Sequence, residues 1–235
     1  METKYIDKAL DLLSCSSDDE RKRMADWYYP TIMTVYGVKS ARLKAIALEI
    51  RKDLRGVTAE LVIDLCKQLA GNGIFESQLL AYSILNRNYK LISLLSVEDI
   101  LSLGSYMDNW VSTDSFSTQI AGPAWRLGPL GDEIIKEWAC SKDRWWRRNA
   151  LVATVGLNLR SQGGTGDADR TMIICEMLID DKDDMVIKAM SWALRELSKH
   201  QKEPVEKFLS FYGDRVASRV KREVNKKLKT GRKNG

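Results

Sequence analysis

The sequence predicts an all-α protein built of stacked antiparallel helical pairs, and three observations carry that expectation. Apolar residues recur at spacings of three and four along nearly the whole chain, the period of a helix with one buried face. Strand-like alternation is almost absent. Turn residues interrupt the pattern every ten to fifteen residues or so, which divides the chain into about a dozen short helices.

The first helix is expected over 4–13, where Tyr5, Ile6, Ala9, Leu10, Leu12 and Leu13 share a face, and Ser16-Ser17-Asp18-Asp19 supplies a stop and a cap. The second covers 19–29 and ends at Pro30. Gly37-Val38-Lys39-Ser40 reads as a turn whose Ser40 caps the next helix, with Leu43, Ile46, Ala47 and Ile50 on its inner face. A helix over 58–69 closes at Gly71-Asn72-Gly73. Further helices are expected over 75–86, 89–95 and 97–103, then in the segment from Asp108, terminated by Gly122-Pro123. After the loop at Gly128-Pro129-Leu130-Gly131 the pattern predicts helices over 132–140, 144–159, 169–178, 185–200, 204–212 and 215–229. The glycine-rich stretch Ser161-Gln162-Gly163-Gly164-Thr165-Gly166 lacks the order of a phosphate-binding loop and reads as a flexible connection.

A weak internal repeat supports the stacking. Asp143-Arg144-Trp145-Trp146-Arg147-Arg148-Asn149-Ala150 and Asp184-Met185-Val186-Ile187-Lys188-Ala189 each run acid, apolar residues, base, alanine at the start of a helix. Their separation suits HEAT-like repeats, whose period is about 40–47 residues. The expectation is a single HEAT-like domain over 1–235, a solenoid with a concave basic surface, ending in a flexible basic tail from about 230.

Composition narrows the partners. At 235 residues the chain can bury a substantial core. A formal charge of +5 and a pI near 8.9 favour an anionic partner without identifying it. The charge concentrates in the last twenty or so residues, where Arg219, Lys221, Arg222, Lys226, Lys227, Lys229, Arg232 and Lys233 face only Glu223. Four cysteines, Cys15, Cys66, Cys140 and Cys175, stand far apart with no CxxC pair and one histidine, His200, so a zinc site is not expected. No apolar h-region opens the chain and no run is long enough to span a bilayer. The expectation is a reduced cytoplasmic protein, monomeric, with no metal, no cofactor and no membrane partner.

Three stretches carry chemistry. Asp108-Asn109-Trp110-Val111-Ser112-Thr113-Asp114-Ser115-Phe116 places an indole and a carboxylate four residues apart, one above the other on a helix. That pair suits a cation. Trp145-Trp146-Arg147-Arg148 and Met190-Ser191-Trp192-Ala193-Leu194-Arg195-Glu196 add further aromatic rings and cations. If Trp110, Asp114, Arg148 and Trp192 converge, the set offers aromatic faces for a cation, a carboxylate for developing positive charge and an arginine for a phosphate. Cleaving the N-glycosidic bond of an alkylated purine needs that set, because the base already carries positive charge and the sugar becomes an oxocarbenium ion.

These motifs make the chain resemble the AlkD family of alkylpurine DNA glycosylases: the WxxxD of Trp110 and Asp114, the W-x-x-R of Trp145 and Arg148, and the run from Ile187 to Glu196. The resemblance covers most of the chain, most closely over 108–199. It implies HEAT-like helical repeats, duplex DNA carrying alkylated bases as partner, and base excision repair of lesions such as 3-methyladenine and 7-methylguanine. It also implies Trp110, Asp114 and Trp192 as active-site residues, with Arg148 as the catalytic-site arginine. More loosely, Tyr28 and Lys39 match the DNA-contacting N-terminal part. Arg147, Lys188 and Arg195, on the flanking helices, are the expected phosphate contacts. The resemblance further implies that the lesion is not drawn into a pocket.

Each residue also has a plainer reading. Trp192 on an apolar helix face is more often core than site, and Trp125 and Trp138 are expected in the core. Trp145 and Trp146 cannot share a face, and Trp145 is the one expected to pack inward. Asp114 alone would pass for a cap or an ion-pair partner, and Arg195 for the partner of an acid near Glu196 or at Asp184. The alternative function is a non-catalytic helical-repeat scaffold that binds DNA or protein.

Overall fold

The computed structural model describes residues 3–232. These residues are all-α: the extended backbone contributes one isolated bridge, Thr34 to Ile74, and no named strand. The chain divides into two compact units, residues 1–120 and 121–235. The expected basic tail from about 230 falls partly outside the described residues, at 233–235; Thr230 ends the last helix, and Gly231 caps it at φ 71°.

The first unit holds α1 (Thr3–Ser14), α2 (Asp19–Tyr28), α3 (Ser40–Asp53), α4 (Ala59–Gly71), α5 (Phe75–Leu85), α6 (Tyr89–Ile92), α7 (Val97–Gly104) and α8 (Trp110–Phe116). Helix α5 is its centre, packed against α3, α4 and α8. It is buried almost all round, with Leu80, Ala81, Tyr82 and Leu85 fully covered. A helix with no polar face has nowhere to lie but inside. Tyr82 can be there because its hydroxyl donates to the Leu103 carbonyl at 2.9 Å, while its ring meets Phe116 of α8 at 5.6 Å.

The second unit holds α9 (Gly122–Leu127), α10 (Asp132–Ala139), α11 (Arg144–Asn158), α12 (Ala168–Met177), α13 (Asp184–Leu197), α14 (Lys202–Tyr212) and α15 (Ser218–Thr230). Here α11 is the axis, buried at every position from Arg148 to Asn158 and packed against α9, α10, α12 and α13. Helix α15 lies on α13 through Val220 and Val224, both fully buried. No helix of the described residues is long and apolar enough to cross a membrane.

Several expectations need correction. Ser40 is the first residue of α3, not its cap; Lys39 holds the cap position and makes no side-chain capping bond. Gly122-Pro123 does not end a helix. Residues Ser117–Ala121 form a π-helical turn, and Pro123 stands in the first turn of α9, where a missing N–H costs nothing. The stretch after Leu159 is not a flexible connection either. It turns through a 3₁₀ segment, Arg160–Gln162, and packs so closely that a Cβ on Gly164 would sit 2.5 Å from the Leu157 carbonyl oxygen. Only glycine fits there. Asn158 secures the turn, accepting from the Asp167 N–H at 2.8 Å.

The two matched helix starts recur, one residue out of the expected register. Asp143 caps α11 by accepting from the Trp145 N–H, and Asp183, 40 residues on, caps α13 by accepting from the Met185 N–H, each at 2.8 Å. Asp184 is the first helical residue and pairs with Lys188 and Arg219 instead. All four cysteines are free, Cys15 and Cys140 exposed, Cys66 and Cys175 buried.

One buried carboxylate fixes the loop before α3. Glu76, in the first turn of α5, accepts from the N–H groups of Tyr36 (2.9 Å), Gly37 (2.6 Å) and Val38 (3.1 Å). Gly37 allows this at φ 77°, where an added Cβ would meet the Asp18 carbonyl oxygen at 2.3 Å. Replacing Glu76 by alanine strands three donors, and the unfolding free energy should fall by about 3 kcal/mol. Urea denaturation of Glu76→Ala against wild type measures it; an unchanged midpoint would mean the loop is held by other means.

Candidate functional site

Helix α8 positions the first pair of expected site residues. Asn109, buried, caps it: its side-chain oxygen accepts from the N–H groups of Val111 (2.9 Å) and Ser112 (3.1 Å). Its carbonyl takes the hydroxyls of Ser112 (3.1 Å) and Thr113 (2.8 Å), which is how two polar side chains lie fully buried inside a short helix. The pattern continues, Ser117 donating to the Thr113 carbonyl and Thr118 to that of Asp114. Trp110 opens the helix and Asp114 lies four residues on, both half-buried. The carboxylate is neither sealed in the core nor thrown fully into solvent.

Tyr28 belongs to the same cluster. The Trp110 indole N–H donates to the Tyr28 carbonyl at 2.9 Å, and the two rings meet edge to face at 5.2 Å. A cleft of about 260 Å³ opens beside the indole, lined among others by Tyr28, Tyr29, Phe75, Leu79 and Trp110. Tyr29 stacks on Phe75 at 4.8 Å, and burial pushes its hydroxyl up from the usual tyrosine range. Lys39 is exposed and lies 3.7 Å from Asp18, a loose pair that leaves the ammonium in solvent.

Asp108 was not read from the sequence as a functional group, and it matters here. Its carboxylate accepts from the Thr31 hydroxyl (2.8 Å to Oδ2), from the Ile32 N–H (2.7 Å) and from the Asn109 side-chain amide (2.8 Å). It therefore ties the loop after α2 to the start of α8. The only sequence signal was an acid directly before a capping asparagine.

In the second unit Arg148 is buried, with Nη1 donating to the Met185 carbonyl in the first turn of α13. Trp192, two turns further along α13, is half-buried rather than core. Arg147 is engaged within the protein: Nε pairs with Asp181 at 2.7 Å and Nη1 donates to the carbonyls of Ser141 (3.0 Å) and Lys142 (2.9 Å), closing the end of α10. Lys188 pairs with Asp184 at 2.6 Å, which with Arg219 holds that carboxyl below the usual carboxylate range. Arg195 pairs with neither Glu196 nor Asp184; Nε reaches Ser191 at 3.2 Å and Glu223 of α15 at 3.8 Å. Burial lowers its guanidinium from the ordinary value, against the pull of Glu223 and Glu196.

The tryptophan expectations divide. Trp125 and Trp138 are core, as expected. Of the adjacent pair, Trp146 packs on Trp138, rings 4.9 Å apart, while Trp145 lies under the Arg144 guanidinium at 4.9 Å. Both are half-buried, so Trp145 is not the uniquely inward ring.

The arrangement has the fold of a known class of helical protein. A solved structure described as a predicted DNA alkylation repair enzyme from Enterococcus faecalis superposes with a TM-score of 0.74, at 18% identity, over 92% of this chain and 98% of that one. The family model described as DNA alkylation repair enzyme matches residues 9–228, and the chain belongs to that family. Among curated proteins, no sequence matches it. Family membership gives the chain a role in DNA repair.

The Trp110 indole bond is a local test of this geometry. Trp110→Phe keeps a ring against Tyr28 but removes the donor, and should cost about 1 kcal/mol. Thermal unfolding reads the loss; a variant as stable as wild type would show the bond adds nothing net.

Proposed function

We propose that the protein is a monofunctional DNA glycosylase, which excises cationic alkylated purines of the 3-methyladenine and 7-methylguanine type from duplex DNA in base excision repair. What carries the reading is Trp110 and Asp114 on one partly open helix face, in a chain of the DNA alkylation repair enzyme family. An alkylated purine is a cation and a good leaving group, so its departure leaves positive charge on the deoxyribose. Asp114 faces that charge, stabilises the oxocarbenium-like sugar and orients the water that attacks it. The water gives its oxygen to the sugar carbon, the base leaves with the bonding electrons, and the released proton passes to the carboxylate or to solvent.

The Trp110 indole beside Asp114 holds the cationic nucleotide, a contact worth about 0.5–2 kcal/mol when desolvated, and Trp192, half-buried in the second unit, offers a further indole for contact with the DNA. Arg148 supplies a fixed positive charge for a phosphate of the lesion strand, its orientation set by the Met185 carbonyl. Tyr28, Lys39, Lys188, Arg147 and Arg195 contribute in this reading to holding the backbone. The last three are held by ion pairs, so as phosphate contacts they act from fixed positions rather than as mobile arms. Selectivity follows from charge: a neutral purine is a poor leaving group, and the modest electrostatic help that suffices for a cation fails for it. In this reading the protein acts as a monomer and needs no cofactor.

Incubation with methylated duplex DNA should release free 3-methyladenine and 7-methylguanine and leave strands uncut until alkali is added. Release no faster than the spontaneous rate would end the proposal and leave the scaffold reading. Asp114→Asn should slow release by about 100-fold, the low end for a positioned carboxylate, with DNA affinity little changed. An equal rate would remove Asp114 from the mechanism.

A further inference from the structure

At the end of α5 away from Glu76 a cleft of about 530 Å³ gathers positive charge. Arg51, Arg55, Arg87 and Lys90 line it, and no Asp or Glu does. Arg51 is held half-buried: Nε donates to the Ile84 carbonyl at 2.9 Å, and Nη2 donates to those of Ser83 and Asn86. Burial lowers its guanidinium from the ordinary value. Three carbonyls thus fix the plane of the group, while both N–H groups of Nη1 stay unspent among the described residues. None of Arg51, Arg55 and Lys90 forms an ion pair among those residues. A cation drawn partly out of water is ordinarily matched by an acid. This cleft supplies none.

The loop that carries Arg87 is held in an uncommon conformation. Asn86 ends α5, Asn88 caps α6 by accepting from the Leu91 N–H at 3.2 Å, and Arg87 between them takes φ 63°. It is the one non-glycine residue among those described in the left-handed region, which a glycine would enter at less cost. Strain of this kind gathers where ligands are met. Much of the remaining wall is apolar: Leu54, Val57, Leu91 and Leu94, the last 56% exposed. Leu54 and Val57 also wall an apolar pocket of about 180 Å³ with Tyr5, Leu61 and Leu65.

We propose that this cleft docks a protein partner through an acidic segment that carries a bulky aliphatic side chain. Charge complementarity names the acid, since four cations with no carboxylate among them call for an anionic partner. The apolar walls name the anchor. A phosphodiester strand would satisfy the cations and leave those walls wet, and the cleft has no aromatic ring on which a base could stack. Nor is this the face that α8 presents. Phe75 and Ile84 stand about 13 Å apart along the axis of α5, the first beside Trp110 and the second in this cleft. A partner bound here does not compete for the cleft beside the indole.

The test uses the full chain and a fluorescein-labelled peptide that alternates pairs of glutamates with pairs of leucines, read by anisotropy at low salt. Saturable binding with a micromolar Kd is expected. A peptide with serine in place of each leucine should bind about tenfold more weakly, the least that losing one buried leucine costs. Arg55→Gln combined with Lys90→Gln, at two exposed positions, should weaken the leucine peptide about tenfold, with the unfolding temperature and the affinity for duplex DNA unchanged. Arg87→Gly, which suits φ 63° without strain, should also weaken it and leave the fold at least as stable. Absence of saturable binding overturns the proposal, as does equal affinity for the two peptides or unaltered binding by either variant. Equal losses of peptide and duplex DNA affinity would make the cleft a nucleic-acid contact, and overturn it too.

Discussion

Asn109 determines where α8 begins, and the geometry of the first unit's site depends on that. A helix shifted by one residue turns its side chains by about 100°, so Trp110 and Asp114 would leave the open face together. Asn109 prevents this from both of its ends. Its amide oxygen holds the first N–H groups of the helix, and its carbonyl collects the hydroxyls of Ser112 and Thr113. These are neutral hydrogen bonds of ordinary length in a buried place, each modest in net worth and expensive to leave unmade. Their value lies in allowing one start and no other.

The charged groups inside the protein follow a similar logic. Glu76, Arg147, Arg148 and Arg195 are all partly or wholly removed from water, and each is met by carbonyls, N–H groups or an opposite charge. Burying a charge costs several kcal/mol that its partners only roughly return, so such groups are poor sources of stability. They do orient what they touch. Glu76 holds the loop leading to Lys39, Arg147 closes α10, and Arg148 is anchored to the head of α13 before any ligand is present.

Helix identity and order were legible in the sequence because the burial of one face leaves a period, and α1 to α5 and α10 to α15 begin and end close to where the pattern says. Misreadings came where side-chain chemistry competes with pattern. Pro123 looked like a stop and serves as a first-turn residue; Gly163 and Gly164 looked like slack and are a packed corner. Both follow from the same ambiguity, since glycine and proline mark a constraint without saying which side imposes it. That Trp110 and Asp114 fall four residues apart in one helix was legible from spacing alone. The partnership with Tyr28 and the clasp by Asp108 were not, because both join residues about eighty positions apart in sequence and leave no local trace.

The placement of the thiols has a consequence for a protein of the DNA alkylation repair family. Methylating agents seek soft nucleophiles, and a cysteine is dangerous to its owner only as the thiolate. Burial pushes Cys66 up to about 12 and Cys175 higher still, so neither presents an anion at neutral pH to an electrophile that could not reach it in any case. Cys15 and Cys140, on the surface, are the sulfurs such a reagent would meet first. Both lie at helix ends, Cys15 just past α1 and Cys140 at the cap of α10, and neither is a residue of α5 or α11, so methylation there would leave the two central helices chemically intact.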